Sequence, residues 1–492
     1  CWGPWSVVVG ACAAGITPSR PSYAIDTTVK HAVSPDISVN AADANALLNL
    51  KASNVVTVQF LPTAGTPTRV AVPMDGELRT FELVSESVRA SDYELVTQRA
   101  DGSYVSVDPG PITTLRGRVT GIDGSLVAAS LLDDGLHAMV LLPDGTRHWL
   151  EPIGTRIAGA AADQYVLYRD GDVLPGGGTC ATVAPGPDAR IAHDEPAVTA
   201  TGGPLLIAEL AIDADVEYFQ DYGSVAATEA QINNIINTVN LQYERDIGAR
   251  HVITRIIVRT AEPDPYSSLD AGGLLNQFRD HWVARQSSVR RDTAQLFTGK
   301  NLTSTFIGMA FSRSLCFLDA AFSIVESNNQ ACTALACKTD LSAHELGHIW
   351  SANHCACPGW TMNATITSAN RFHPEFDIPE MTEFRDSRTC LSVGDPCDPR
   401  GTFDCNTNGI ADACDVQKGS SPDADGNGIP DECQPPPMPQ TDPFPYSKTR
   451  FVSVEVPSAP TSAPGAQTAI RFKLIDLQTP NPPNVAAAPP PN

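Results

Sequence analysis

The first third of the chain alternates short apolar runs with turn dipeptides. Residues 55–60 and 136–142 are two of these runs, and Asp-Gly pairs begin at Asp123, Asp134 and Asp144, at intervals of 11 and 10 residues. Turn signals at this spacing between apolar runs are typical of successive β-hairpins. The pattern predicts a β-rich domain.

The periodicity changes after residue 203. Apolar runs at 205–212 and 252–258 predict two strands, and a helix is predicted near 274–284. Between the two strands, apolar residues recur at helical spacing on one face, at Ile232, Ile235, Ile236, Val239 and Tyr243. Strands that alternate with helices predict an α/β layer arrangement over residues 204–392.

Segments rich in glycine or proline follow each of these regions. Residues 176–203 are predicted to form a linker after the β-rich domain, which we place at 26–175. The tail after residue 434 holds 15 of the 40 prolines. It is predicted to begin with a Pro-rich linker at 435–446 and to continue as a truncated β domain at 447–492.

The N-terminal segment carries a targeting signature. Residues 5–16 are apolar or small and too few to span a bilayer, which suits part of a signal peptide. We therefore expect residues 1–25 to be the remnant of such a signal. A buried strand is the alternative.

Charge and cysteine content narrow the class of protein. The chain has 33 Lys and Arg against 56 Asp and Glu, a formal net charge of −23, which argues against nucleic acid or an anionic membrane face as the main partner. No apolar run reaches the roughly 18 residues of a transmembrane helix. Thirteen cysteines predict disulfides, metal ligands or both in a secreted or extracellular protein.

The strongest chemical signal is the stretch HELGHIWSANH, residues 344–354. On a helix, His344 and His348 lie on one face and can bind one cation, while Glu345 can reach a water bound to it. With His354 as a third ligand, three imidazoles leave one position open, which is the arrangement of a catalytic zinc site. Asp340 is predicted to be the N-cap of this helix.

This extended motif resembles that of the metzincin zinc peptidases, in which a methionine turn follows the third histidine. Met362 is the candidate for that turn. Within this class the resemblance is to the reprolysin or adamalysin type, the peptidase of ADAM-like proteins. It spans roughly residues 80–392 and is carried by VNLQYERDIGARHV (239–252), DTAQLFTGKN (292–301), FIGMAFSRSLC (306–316), AHELGH (343–348) and a propeptide-like stretch at 115–153.

Two positions depart from the family pattern. Ser351 replaces a glycine that permits a sharp turn, so a left-handed conformation there costs on the order of 1 to 2 kcal/mol. Cys355 follows His354 where many relatives carry Asp. Neither change removes one of the three histidines or Glu345.

The resemblance implies a latent, secreted zinc endopeptidase. Its fold would be a twisted mixed five-stranded sheet flanked by helices, with the zinc helix at the floor of a cleft. Glu345 would activate the zinc-bound water, and Gly308, Met309 and Ala310 on the cleft-side strand would bind protein or peptide substrates by β-addition. Cys180 would occupy the zinc in the latent form.

The remaining cysteines leave several pairings open. A disulfide between Cys316 and Cys390 is implied by the resemblance. Two groups of four could each form two more: Cys332, Cys337, Cys355 and Cys357, and Cys397, Cys405, Cys414 and Cys433. A second metal site at Cys355 and Cys357 is an alternative.

Residues 393–434 contain two copies of one acidic pattern, DCNTNGIADAC and DADGNGIPDEC. Oxygen-bearing side chains surround a glycine turn in each copy, which suits calcium. The pattern resembles thrombospondin type-3 and dockerin-like calcium loops, and an acidic spacer without ions is the alternative. The predicted ligands are Asp404, Asn406, Asn408, Asp412, Asp415, Asp423, Asp425, Asn427 and Asp431.

Two other functions stay open at this point. The chain could be an inactive surface or calcium-binding interaction protein on a metzincin scaffold. It could also be a peptidase in which Glu375 or Glu380 replaces His354 as zinc ligand, the gluzincin arrangement.

Overall fold

The computed structural model describes residues 39–62, 67–184, 205–303, 305–327 and 332–394, together with short pieces between 414 and 474. The chain divides into two compact units, Cys1–Pro396 and Cys397–Asn492. Among the described helices, none is long and apolar enough to span a membrane.

The N-terminal region is built mainly from antiparallel strands. Among the described residues, nine of them form one sheet in the order β1-β11-β10-β9-β8-β7-β4-β3-β2. The predicted hairpins are confirmed, because β7 to β11 are neighbours in sequence order. The elements are α1 (Ala41–Leu48), β1 (Asn54–Thr57), β2 (Gln59–Leu61), β3 (Thr68–Met74), β4 (Glu77–Ser85), β5 (Arg89–Gln98), β6 (Tyr104–Val107), β7 (Thr114–Val119), β8 (Leu126–Leu132), β9 (Gly135–Leu141), β10 (Arg147–Pro152), β11 (Gln164–Arg169) and β12 (Thr179–Val183).

A second, mixed sheet carries the predicted α/β region. Its central strands run in the order β16-β17-β15-β13-β14, and β16 alone among these five is antiparallel to its neighbour. This order agrees with the five-stranded sheet that the resemblance implied. The elements are β13 (Leu206–Ala214), α2 (Val216–Tyr222), α3 (Val225–Ile247), β14 (Ala249–Arg259), α4 (Ala271–Arg285), β15 (Thr293–Thr298), β16 (Phe306–Phe311), β17 (Phe322–Glu326), α5 (Leu335–Ile349), α6 (Asp377–Asp386) and β18 (Ser392–Val393).

Strands from the N-terminal region extend this second sheet at both edges. The strand β12, inside the segment predicted as a linker, pairs with β16, and β5 pairs with β14. The hairpin partner of β5 is β6. The sequence pattern predicted neither addition, because nothing local in a strand identifies a partner far along the chain.

The two sheets share one hydrophobic core. Trp149 and Met139 of the N-terminal sheet belong to the same buried cluster as Ile232, Ile236 and Leu341 of the helices. Such burial is the main favourable term in folding, at about 25 cal/mol per Å² of apolar surface. The N-terminal region is therefore packed onto the α/β region within the same compact unit.

The second unit is described only in pieces. Residues 414–416 are helical, and Asp431–Cys433 form a short 3-10 turn. The antiparallel pair β19 (Val452–Ser453) and β20 (Lys473–Leu474) lies in the tail where a β domain was predicted.

Candidate metal centre

The predicted zinc helix is α5, which begins before the predicted start. Its N-cap is Ala334, whose side chain makes no cap bond. The backbone N–H of Leu335 instead donates to Oε1 of Glu151 in the N-terminal sheet at 2.9 Å. The prediction that Asp340 caps this helix is wrong. The first backbone N–H of the helix donates to Glu151, which is distant in sequence, and Asp340 lies inside the helix.

The three predicted histidine ligands converge on one point. His344 and His348 lie one turn apart on α5, and their Nε2 atoms are 3.0 Å apart. The Nε2 atom of His354 lies 3.1 Å from each of them. At zinc–nitrogen bonds of about 2.0 to 2.1 Å, three nitrogens of a tetrahedral site are about this far apart.

The other ring nitrogens have partners that fix the orientation of the rings. Nδ1 of His344 donates to the carbonyl oxygen of Thr361 at 2.6 Å, and Nδ1 of His348 donates to that of Ala352 at 2.8 Å. Burial lowers the pKa of His344 to about 3 and that of His348 well below its usual value. Both rings are therefore neutral at pH 7, with their Nε2 lone pairs turned toward the common point.

Asp340 holds the loop that supports His344. Its buried carboxylate accepts hydrogen bonds from the hydroxyl of Thr361 at 2.8 Å and from the N–H groups of Ala369 and Asn370 at 3.0 and 2.9 Å. Asp340 thus contacts the same residue whose carbonyl orients His344. Asp340 lies four residues before His344, so both side chains lie on one face of the helix. This spacing could have indicated that Asp340 supports the site, but the N-cap interpretation did not use it.

Ser351 makes the sharp turn that brings His354 to the site. Its φ is +85°, so the left-handed conformation predicted at this non-glycine residue is confirmed. Its hydroxyl accepts a bond from Arg313 at 2.8 Å and donates to Glu380 at 3.3 Å. These two contacts help to offset the backbone strain of the turn.

Met362 lies directly beneath the zinc helix. It is fully buried, and a Cβ added at Gly347 would lie 2.6 Å from its sulfur. The helix and the methionine are therefore in close contact because position 347 has no side chain. This position suits the methionine turn that the resemblance implied.

Glu345 is the acidic group closest to the convergence point. It is fully buried, and among the described residues neither carboxylate oxygen has a nitrogen or oxygen hydrogen-bond partner. Burial raises its pKa well above the usual value, while the nearby thiol of Cys180 acts to lower it. A buried carboxylate with no cationic partner, beside the imidazoles of three histidines, is the environment that a bound cation would stabilise, so these residues fit a zinc ion.

The edge strand β16 approaches this carboxylate closely. A Cβ added at Gly308 would lie 2.2 Å from Oε1 and 2.7 Å from Cδ of Glu345, so a side chain there would displace the carboxylate. Gly308 was predicted to bind substrate through its backbone. Its lack of a side chain also makes space for Glu345, a role that the sequence did not indicate.

Cys180 lies at the same site. It is a buried free cysteine, and its sulfur, a ring nitrogen of His344 and a carboxylate oxygen of Glu345 lie within 4.8 Å of one another. Burial, followed by the charge of Glu345, raises the pKa of the thiol well above its usual value. The thiol therefore belongs to a potential metal-binding cluster that shares His344 with the cluster of three histidines.

The strand that carries Cys180, β12, lies between the edge strand β16 and the segment around Ala364. Cys180, Ala181 and Thr182 pair in parallel with the three residues predicted to bind substrate, Gly308, Met309 and Ala310. On its other side, the N–H of Cys180 donates to the carbonyl oxygen of Ala364 at 3.0 Å. The edge predicted to receive substrate is thus occupied by a segment of the same chain.

The disulfides close loops around this centre. The pair Cys316–Cys390 is confirmed. The pairings left open resolve as Cys332–Cys337 and Cys355–Cys357, so the alternative of a second metal site at the latter pair is wrong. In the second unit, Cys414 is disulfide-bonded.

The predicted calcium ligands are only partly described. Asp415 is buried and accepts from the hydroxyl of Ser420 at 2.7 Å, and Asp431 accepts from the N–H of Ala424 at 2.9 Å. Asp423 is half-buried. The other predicted ligands lie outside the described residues, namely Asp404, Asn406, Asn408, Asp412, Asp425 and Asn427.

The gluzincin alternative gains no support from the geometry. Glu380 accepts hydrogen bonds from Ser351 and from Asn353, the latter at 2.7 Å. Glu375 is exposed. Neither belongs to a potential metal-binding cluster among the described residues, whereas His354 does.

Comparisons with known proteins agree with this site. Residues 207–391 match a reprolysin family model described as metallo-peptidase family M12. The human protein named disintegrin and metalloproteinase domain-containing protein 15 is 23% identical over 318 residues, which cover 60% of this chain and 35% of that protein. The chain therefore spans about a third of the length of this relative. The comparisons support a metalloprotease of the reprolysin or ADAM-like type, as the resemblance indicated.

Proposed function

We propose that this protein is a zinc-dependent endopeptidase that hydrolyses internal peptide bonds of proteins. The observation that carries the proposal is the convergence of three histidine Nε2 atoms within 3.1 Å beside the buried carboxylate of Glu345. His344, His348 and His354 would hold the metal. The family match supports both zinc and protein substrates.

In the proposed reaction, zinc, Glu345 and the edge strand β16 have different roles. When bound, zinc supplies a Lewis acid that polarises the scissile carbonyl and makes water more acidic. Glu345 takes a proton from the attacking water and delivers it to the leaving amine, first as general base and then as general acid. The edge strand β16 pairs with the extended substrate and holds its peptide bond against the carboxylate.

Removal of the metal is expected to abolish activity. The test uses the chain cut between residues 185 and 204 and freed of its N-terminal fragment. We expect about one zinc per chain, cleavage of casein at internal bonds, complete loss with a chelator and recovery on adding zinc. Metal analysis and mass mapping of the products check this, and chelator-resistant cleavage would contradict it. Absence of cleavage by the zinc-loaded protein would favour the inactive interaction protein.

We also propose that residues 26–175 are a propeptide and that Cys180 keeps the enzyme latent. The support is the position of its thiol beside His344 and Glu345, on a strand that occupies the substrate edge. A thiolate in the open position of a zinc site would exclude the catalytic water. Processing within residues 185–204 would begin activation.

The disulfides and the relative support an extracellular or membrane-associated protein, and we propose secretion. We further propose that residues 393–434 bind calcium through the repeated oxygen ligands. Calorimetric titration of the whole chain is expected to give heat at calcium concentrations up to millimolar, and less heat after Asp425→Ala. Absence of heat would refute calcium binding.

A further inference from the structure

The third histidine of the metal centre lacks the second bond that orients the other two. Nδ1 of His344 and Nδ1 of His348 each donate to a backbone carbonyl oxygen. Among the described residues, no hydrogen bond holds Nδ1 of His354, whose ring contacts the other two histidines through Nε2. His354 is also exposed, whereas the other two are fully buried. Its position therefore depends on the loop that carries it.

The loop between α5 and His354 has few backbone bonds of its own. It turns at Ser351, which has a φ of +85°. The N–H of Ala352 donates to a carbonyl oxygen of the helix at 2.9 Å, and the next backbone donor along the chain that is bonded is Cys355. Among the described residues, no backbone acceptor binds the N–H groups of Asn353 or His354. Side chains must therefore hold this part of the loop.

One carboxylate of helix α6 holds the loop at two points. Oε1 of Glu380 accepts a hydrogen bond from the hydroxyl of Ser351 at 3.3 Å and from the side-chain amide of Asn353 at 2.7 Å. The two donors belong to residues three positions and one position before His354. Hydrogen bonds to a charged acceptor are stronger than those between neutral groups. Glu380 therefore fixes the loop immediately before the third histidine.

Arg313 joins this contact to the zinc helix. Its Nη1 atom donates to the hydroxyl of Ser351 at 2.8 Å and lies 3.6 Å from Oε1 of Glu380. Its backbone N–H donates to the carbonyl oxygen of His348 at 2.9 Å. The same residue thus contacts both the helix that carries two histidines and the loop that carries the third. We call Arg313, Ser351, Asn353 and Glu380 the loop bracket.

The loop bracket lies at the surface and adds little to the stability of the fold. The side chains of Arg313 and Glu380 are 58% and 32% exposed, and Asn353 is exposed. Charged pairs in contact with water contribute little net free energy to folding. A role in placing His354 can therefore be separated from a role in folding, because the first changes metal binding and the second changes unfolding of the metal-free chain.

We propose that Glu380 is a positioning residue, which sets the affinity of the site for zinc by holding His354 in place. It acts through the loop and is not itself a ligand, unlike in the gluzincin arrangement. Removal of a group that orients a metal ligand typically weakens metal binding by about 10- to 100-fold. This inference rests on the proposed function, in which the three histidines hold zinc.

The test measures the zinc affinity of the whole chain by competition with a chromophoric chelator. The parent chain carries Cys180→Ser, so that the thiol cannot replace a weakened ligand. Glu380→Ala removes both bonds to the loop and is expected to weaken zinc binding at least tenfold. Glu380→Gln keeps an acceptor oxygen and is expected to bind zinc nearly as tightly as the parent. Glu383→Ala removes an exposed carboxylate three residues further along α6 and serves as the matched control.

A second comparison shows through which residue Glu380 acts. His354→Ala removes the imidazole that the loop carries, and its zinc affinity is measured with a weaker chelator. In that background Glu380→Ala is expected to cause no further loss, because the loop no longer brings a ligand to the site. If Glu380 were a ligand, Glu380→Ala would still weaken binding there, and Glu380→Gln would be as damaging as Glu380→Ala. Either of these results would overturn the proposal.

The readouts distinguish failure of this inference from failure of the proposed function. Zinc affinity needs no catalytic activity. A parent chain whose zinc affinity is unchanged by Glu380→Ala would overturn this inference alone, whereas a parent chain that binds no zinc would contradict both. Circular dichroism of the metal-free chain is expected to give the same Tm for Glu380→Ala and its parent. Partial unfolding of the variant at the temperature of the titration would instead assign Glu380 a structural role.

Discussion

Replacement of Glu345 by glutamine is expected to lower kcat/KM by a factor of about 10² to 10⁴ while the zinc content stays near one per chain. General acid–base catalysis contributes rate enhancements of this order. Glutamine nearly preserves the shape of the side chain, so the narrow space beside Gly308 still accommodates it. What it lacks is a basic oxygen that can accept a proton from water.

The measurement compares kcat/KM and zinc content of the separated peptidase with and without the substitution. Glu375→Gln is the matched control, because it removes an exposed carboxylate that belongs to no potential metal-binding cluster among the described residues. We expect that control to keep full activity. An unchanged rate for Glu345→Gln would remove Glu345 from the chemistry, and a loss of zinc in Glu375→Gln would revive the gluzincin arrangement.

Local spacing made the histidine cluster predictable. His344 and His348 stand four residues apart, and that spacing alone places them on one helical face. The left-handed turn at Ser351 could also be predicted, because His354 reaches the site only if the chain leaves the helix sharply there. Each of these inferences needed only a few consecutive residues and the geometry of a helix.

The groups that position the site from a distance could not be predicted in this way. The start of α5 is set by Glu151, 184 residues away in sequence, so the local N-cap signal at Asp340 was misleading. The same holds for β12 and β5, whose pairing with β16 and β14 depends on tertiary contacts. A strand sequence encodes which face is apolar but not which distant strand will be its neighbour.

Replacement of Cys180 by serine in the uncut chain is expected to raise its activity on a short fluorogenic peptide at least tenfold. The hydroxyl of serine is a poor zinc ligand at neutral pH, whereas a cysteine thiolate is a good one. A tenfold rise corresponds to about 1.4 kcal/mol of lost stabilisation of the blocked state. The rise should stay below the full activity of the separated peptidase, because β12 still pairs with β16.

The assay must use chain shown by mass spectrometry to be uncut between residues 185 and 204. Thr182→Ala is the matched control, since Thr182 lies on the same strand but is exposed. Adding Glu345→Gln to Cys180→Ser should return the activity to background, which identifies the new signal as this active site rather than a contaminant. If Cys180→Ser chain is no more active than the unaltered chain, the thiol does not keep the enzyme latent. Occupation of the substrate edge by β12 would then be the sole source of inhibition.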